Sequence, residues 1–146
     1  MRAYVLDYTV YTTILVGGKS FRQATNFLRS AIKSKNIRTL TLDITFREVC
    51  NAIWFNAMVL RRIDRDRALL LATYVSKLVR NSTDEVVPLE ALVREAMDTS
   101  LRFEIPFYRA AYVALALSSG AELVTCSKHF EDELKRKGFD RVRRPK

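Results

Sequence analysis

The side chains of this chain best placed to do chemistry are Asp7, Glu48, Arg109 and the run Thr125-Cys126-Ser127. Asp7 closes the short apolar stretch Tyr4-Val5-Leu6, and Ser127 comes just after a second one, Leu123-Val124-Thr125, which follows Gly120 and is rich in β-branched residues. Both stretches read as buried parallel strands. In an open parallel sheet, ligands collect beyond the carboxyl ends of the strands, so Asp7 and Ser127 are expected to be neighbours there. An acid at the end of a buried strand needs a partner: it either belongs to such a site or caps the helix predicted over Thr9 to Leu15. Ser127 has the same two readings, with the cap of the last helix as its structural one. Glu48 closes the pattern Thr45-Phe46-Arg47-Glu48, which matches a helix capping box. Asn51 lies one turn further along the same helix face.

Other chemistries are bounded by composition. His129 is the only histidine, so a His-rich metal centre is excluded. Cys50 and Cys126 are too few for a zinc site and, with no export signal before Asp7, read as free thiols of a cytoplasmic protein. The 146 residues fit one domain spanning 1–146, with 49% hydrophobic and 28% charged residues, as in ordinary globular proteins. No apolar run approaches the roughly 20 residues of a membrane span. A formal net charge of +9 favours a polyanionic partner, nucleic acid or an acidic protein. Arg61-Arg62 with Arg65 and Arg67 form a dense basic patch around a helix junction; it suits phosphate contacts and equally a solvated helix end.

The elements that must position these residues follow from periodicity. Ala24, Phe27, Leu28, Ala31 and Ile32 form one helical stripe, and Val49, Ala52, Ile53, Asn56, Ala57 and Leu60 a second. Trp54, Phe55 and Met58 flank the second stripe and suggest a helix buried nearly all round. Arg38 to Leu42 alternates as a strand, Asp64 to Arg80 is helical, and Val86-Val87 is a brief strand. Further helices are expected from Leu89 to about Leu101, from Pro106 to Ser119 and from about His129 to Lys137, stopped by Gly138. The tail from Arg141 to Lys146 reads as a basic end after a possible edge strand, with a solvated, fraying terminus as the preferred reading. Strands alternating with helices imply right-handed βαβ units and an α/β fold: a three-layer α/β/α domain with a mostly parallel sheet.

Several of these segments resemble the PIN-domain family, the fold of VapC-type ribonuclease toxins. Leu6-Asp7-Tyr8-Thr9 is similar to that family's Asp-x-Ser/Thr, and Glu48-Val49-Cys50-Asn51 to its Glu-Val-x-Asn. Phe107-Tyr108-Arg109-Ala110 is similar to its Tyr-Asp-Ala segment, and Thr125-Cys126-Ser127 to its Thr-x-Asp. The resemblance covers nearly the whole chain. It implies a cluster of acids holding Mg²⁺ or Mn²⁺, cations that prefer hard oxygen ligands and can activate water for phosphodiester cleavage. Carried over residue by residue, the metal-binding and catalytic acids are Asp7 and Glu48, with Thr9 orienting Asp7.

Two positions of that pattern depart from it: Arg109 and Ser127 stand where the family has aspartates. A guanidinium repels a cation and pairs with carboxylates, so Arg109 is expected to pair with Asp7 or Glu48 in place of the ion. Glu104, before Pro106, is the best placed substitute acid, ahead of Asp98 and Glu122. The resemblance thus implies a protein of ribonuclease descent that binds RNA or a partner protein, with cleavage weak or lost. Its rivals are an active Mg²⁺-dependent endoribonuclease toxin and a regulatory subunit. It also implies an antitoxin-like partner and a homodimer.

Overall fold

The computed structural model describes residues 1–146. Five strands, β1 (Arg2–Leu6), β2 (Ile37–Leu42), β3 (Glu85–Val87), β4 (Glu122–Val124) and β5 (Val142–Arg143), form one sheet in the order β3-β2-β1-β4-β5. Every pairing is parallel. Side chains alternate across it as the pleat requires: Tyr4, Leu6 and Val124 enter one core, Val5 and Leu123 the other. The first core is covered by α1 (Tyr8–Val16), α2 (Phe21–Lys33), α3 (Ile44–Met58) and α4 (Arg65–Ser82). The second is covered by α5 (Val93–Phe103), α6 (Phe107–Ser119) and α7 (Lys128–Arg136). The result is the three-layer α/β/α arrangement anticipated from the alternation of elements. Val5, Leu6, Leu123 and Val124 are wholly buried, each worth roughly 1.5–3 kcal/mol relative to exposure.

The chain leaves β1 towards β2 and β3 on one side, then returns to place β4 on the other. This reversal opens a crevice beyond the carboxyl ends of β1 and β4, where Asp7 and Ser127 stand. α6 runs beside that crevice, and its residues Ala110 to Ala116 are all buried, so it works as an interior helix.

Three expectations need correction. The basic tail is part of the sheet: Val142 is buried, and Arg143 O accepts the Thr125 amide at 3.0 Å. A single apolar residue was enough, because β4 otherwise leaves an unpaired edge. The helix expected from Leu89 starts instead as a tight 3₁₀ turn, Leu89–Leu92, with the Leu89 amide held by Asp43 Oδ1 at 2.9 Å. Finally, α3 is not enclosed. Thr45, Val49, Ile53 and Asn56 are buried, while Trp54, Phe55 and Met58 are 55%, 43% and 54% exposed.

Candidate functional site

At the crevice Asp7 is 2% exposed and serves as the N-cap of α1. Its Oδ1 accepts the Thr9 amide at 2.9 Å and also the Thr9 hydroxyl. The cap reading of this acid is realised, and its side chain also lines a cavity. The cavity, of about 80 Å³, is lined by Asp7, Tyr8, Thr9, Arg109, Tyr112, Ser127 and Phe130. Burial pushes the Asp7 carboxyl up from 3.8 to about 6, against the opposing pull of the Thr125 and Thr9 hydroxyls, the Thr9 amide and, last, Arg109. Burial likewise raises Tyr8 to about 12, with the negative charge of Asp7 adding to it.

Thr9 ties the two strand ends together. Its Oγ1 lies 3.2 Å from Thr125 Oγ1 and accepts the Cys126 amide at 2.8 Å. Thr125 Oγ1 in turn accepts the Ser127 amide at 3.2 Å. Ser127 caps α7 by accepting the Phe130 amide at 3.1 Å, and so both lines the cavity and starts the helix.

Arg109 departs from its expected pairing. Its Nη1 is 3.7 Å from Glu133, its Nε donates to the Tyr108 hydroxyl at 3.1 Å, and its guanidinium sits 5.0 Å above the Phe130 ring. No ion pair joins it to Asp7 or Glu48. The reason is solvation: at the cavity wall the side chain keeps 24% exposure and an aromatic face, whereas reaching the oxygens of Asp7 would bury the whole cation.

Glu48 is not in the capping box its spacing suggests. α3 begins at Ile44, and the Thr45 hydroxyl is committed to Thr41 and Tyr112, each at 2.8 Å. Thr41 continues this buried chain to the Leu6 carbonyl at 2.7 Å. Glu48 itself is 17% exposed, pairs with Arg47 at 3.2 Å, and is near enough that its charge adds, after burial and the charge of Asp7, to raising the Tyr8 and Tyr112 hydroxyls. It does not line the cavity. Nor do two others: Asn51 is exposed on α3, and Glu104 is an exposed left-handed C-cap of α5 with φ 54°. Glu104 contributes only its carbonyl, to Lys137 Nζ at 2.8 Å.

Tyr112 and Phe130 line the cavity, and Glu133 holds Arg109 at its wall, without belonging to any motif in the sequence; Tyr8 lines it from the variable position of the Asp-x-Ser/Thr segment. Tyr112 follows Arg109 by three residues, a spacing that on a helix puts the two on one face and could have pointed to it.

No three His, Cys, Asp or Glu side chains come together as a metal site would require. Asp7 is the one carboxylate in the cavity, and it faces a guanidinium. This donor set does not fit a tightly held Mg²⁺ or Mn²⁺, which needs several hard oxygens and no fixed cation beside it.

A second concavity, of about 690 Å³, lies between α3 and α4. Its apolar floor includes Ile53, Trp54, Met58 and Leu69, and Arg61, Arg62 and Arg65 stand on it too. Exposed Phe55, Val59, Leu60 and Leu70 extend the apolar surface around it.

By sequence, no family model and no curated protein matches the chain. By structure it is similar to proteins with the PIN-like α/β/α fold, and at the identities involved that likeness defines the fold. One is PAE2754 from Pyrobaculum aerophilum: 21% identity, TM-score 0.65, covering 98% of this chain and 90% of the other. Another is VapBC2 from Rickettsia felis, solved bound to a DNA fragment from their promoter: 13% identity, TM-score 0.65, 99% of each chain. No helix is long and apolar enough to cross a membrane.

Proposed function

We propose that this is a PIN-like domain of ribonuclease descent that binds RNA or a partner protein, with metal-dependent cleavage weak or lost. The observation that carries the reading is Arg109, a permanent cation lining the same cavity as the only carboxylate there. Where the family pattern has an acid, the charge is reversed, and the position corresponding to the last acid is Ser127, used as a helix cap. An arginine does not lose its proton, so the repulsion of a divalent ion persists at every working pH.

The cavity residues then have other work. Asp7 and Ser127 start α1 and α7, Thr9 joins β1 to the segment after β4, and Arg109 fastens α6 to α7 through Glu133 and Phe130. The partner-protein part of the reading is supported by the groove between α3 and α4, because an apolar surface of that extent on a soluble domain marks an interaction site. An antitoxin-like protein is the partner type suggested by the similarity to VapBC2, and a homodimer would use the same kind of surface.

The retention of Asp7 and Glu48 favours the rival, an active Mg²⁺- or Mn²⁺-dependent endoribonuclease. The two readings part in one assay, in which single-stranded RNA is incubated with the protein and Mg²⁺ or Mn²⁺, alongside Asp7→Asn. The proposal expects little or no cleavage that depends on Asp7. Metal-dependent cleavage by the wild type that disappears in Asp7→Asn would replace the proposal with the rival.

A further inference from the structure

From Tyr8 to Leu42 the chain contains no acid and six bases, Lys19, Arg22, Arg29, Lys33, Lys35 and Arg38, so this quarter of the sequence carries +6 of the net +9. Arg38 is paired with Glu85, while the other five take part in no ion pair. All five are exposed. Arg22, Arg29 and Lys33 are spaced by seven and four residues, which at 3.6 residues per turn aligns them along one face of α2. The row is about 16 Å long at about 1.5 Å per residue, with Lys19 before it and Lys35 beyond. Neighbouring it is Phe21, 45% exposed at the start of α2.

The cluster at the α3–α4 junction differs in kind. There Arg61, Arg62, Arg65 and Arg67 are interspersed with Asp64 and Asp66, and the surface between them is apolar. That mixture suits a protein. An acid-free row of solvated cations beside an exposed aromatic ring suits a polynucleotide: the cations track phosphates, and the ring stacks on an unpaired base.

We infer that the outer face of α2, through Lys19, Arg22, Arg29, Lys33 and Lys35 with Phe21 beside them, is a binding surface for single-stranded nucleic acid. The inference rests on the RNA-binding part of the function proposed above and gives it a location away from the Asp7 cavity. Stacking on Phe21 requires a base free of its complement, which is why a single strand is assigned rather than a duplex.

The test is fluorescence anisotropy with a labelled single-stranded RNA of mixed sequence, the matching single-stranded DNA and a DNA duplex, between about 50 and 200 mM salt. If five phosphates are neutralised, log K should fall with log salt at a slope of about −3.5, roughly a hundredfold loss over that range. The variant Arg22→Gln/Arg29→Gln/Lys33→Gln should bind at least about tenfold more weakly at low salt, with a slope near about −1.4. Phe21→Ala should weaken binding about fivefold and leave the slope unchanged. Arg61→Gln/Arg62→Gln/Arg65→Gln should bind like the wild type, and circular dichroism melts check that each variant is folded. RNA and single-stranded DNA binding alike would define the surface as reading phosphates and bases; preference for RNA would add the 2′-hydroxyl. Binding that survives the α2 substitutions and is lost in the α3–α4 variant overturns the inference and leaves the proposed function standing. Stronger binding to the duplex overturns the single-strand assignment. Failure of the wild type to bind any of the three probes overturns both the inference and the RNA-binding function.

Discussion

Asp7 makes the sharpest test of how the cavity is balanced. Its carboxyl titrates near about 6 in the folded protein against an ordinary 3.8. The folded state therefore holds its proton to higher pH than the unfolded chain does. Between pH about 4 and about 6 the native state binds more protons, so stability falls as pH rises through that window. At about 1.4 kcal/mol per pH unit, the full loss above pH about 6 is on the order of 3 kcal/mol. Asp7→Asn keeps an Oδ1 to accept from the Thr9 amide and hydroxyl but carries no charge to desolvate. Urea unfolding of both proteins at several pH values from 4 to 7.5 isolates this group, because every other carboxylate cancels in the difference. The variant should gain roughly 2 kcal/mol on the wild type between pH about 4 and about 7, and millimolar Mg²⁺ should leave that difference unaltered. A pH-independent difference would show that Asp7 titrates alike folded and unfolded, and a wild type that gains on the variant as pH rises would show a carboxylate stabilised by a cation; either result would refute the reasoning. Mg²⁺ that stabilises the wild type alone would refute it in a second way, since only a bound ion could do so.

Three further outcomes follow from the geometry. Arg109→Asp removes the cavity's cation and adds an acid, so calorimetry should detect Mn²⁺ binding by the variant where the wild type gives none; equal heats would show that Arg109 does not govern the site. Tyr112→Phe deletes the end of the buried chain Leu6–Thr41–Thr45–Tyr112 and should cost about 1 kcal/mol in urea unfolding, whereas an unchanged midpoint would mean that the chain adds nothing. Val142→Ala opens a gap in the core at β5 and should cost about 2 kcal/mol, which a freely solvated tail would not.

How far the sequence could be read depended on whether a signal was local. β1 and β4 were legible because apolar runs ending in polar residues mark buried parallel strands, and the strand ends then brought Asp7, Thr9, Thr125 and Ser127 together. The helices expected from Asp64 and up to Ser119 were equally plain from their apolar spacing and Pro106, and the structure closes them with the Asp64 and Gly120 caps. β5 was obscured because its pairing partner, not its own two residues, makes it a strand. The partner of Arg109 was hidden for a similar reason. Glu133 lies 24 positions away on another helix, and only the docking of α7 decides that it, rather than Asp7, meets the guanidinium. Trp54, Phe55 and Met58 looked like core because apolar content reports what a side chain prefers, while exposure depends on what packs against it.

The link through Thr9 also bears on when the cavity can form. Its bonds to Thr125 and to the Cys126 amide span 116 and 117 positions of chain, at the ends of the central strand β1 and its neighbour β4. Contacts so distant in sequence close late and open only when the middle of the sheet comes apart. The cavity therefore has no existence in a partly folded chain, and amide exchange at Cys126 should be as slow as that of the core itself, making one backbone proton a clock for the disassembly of the whole molecule.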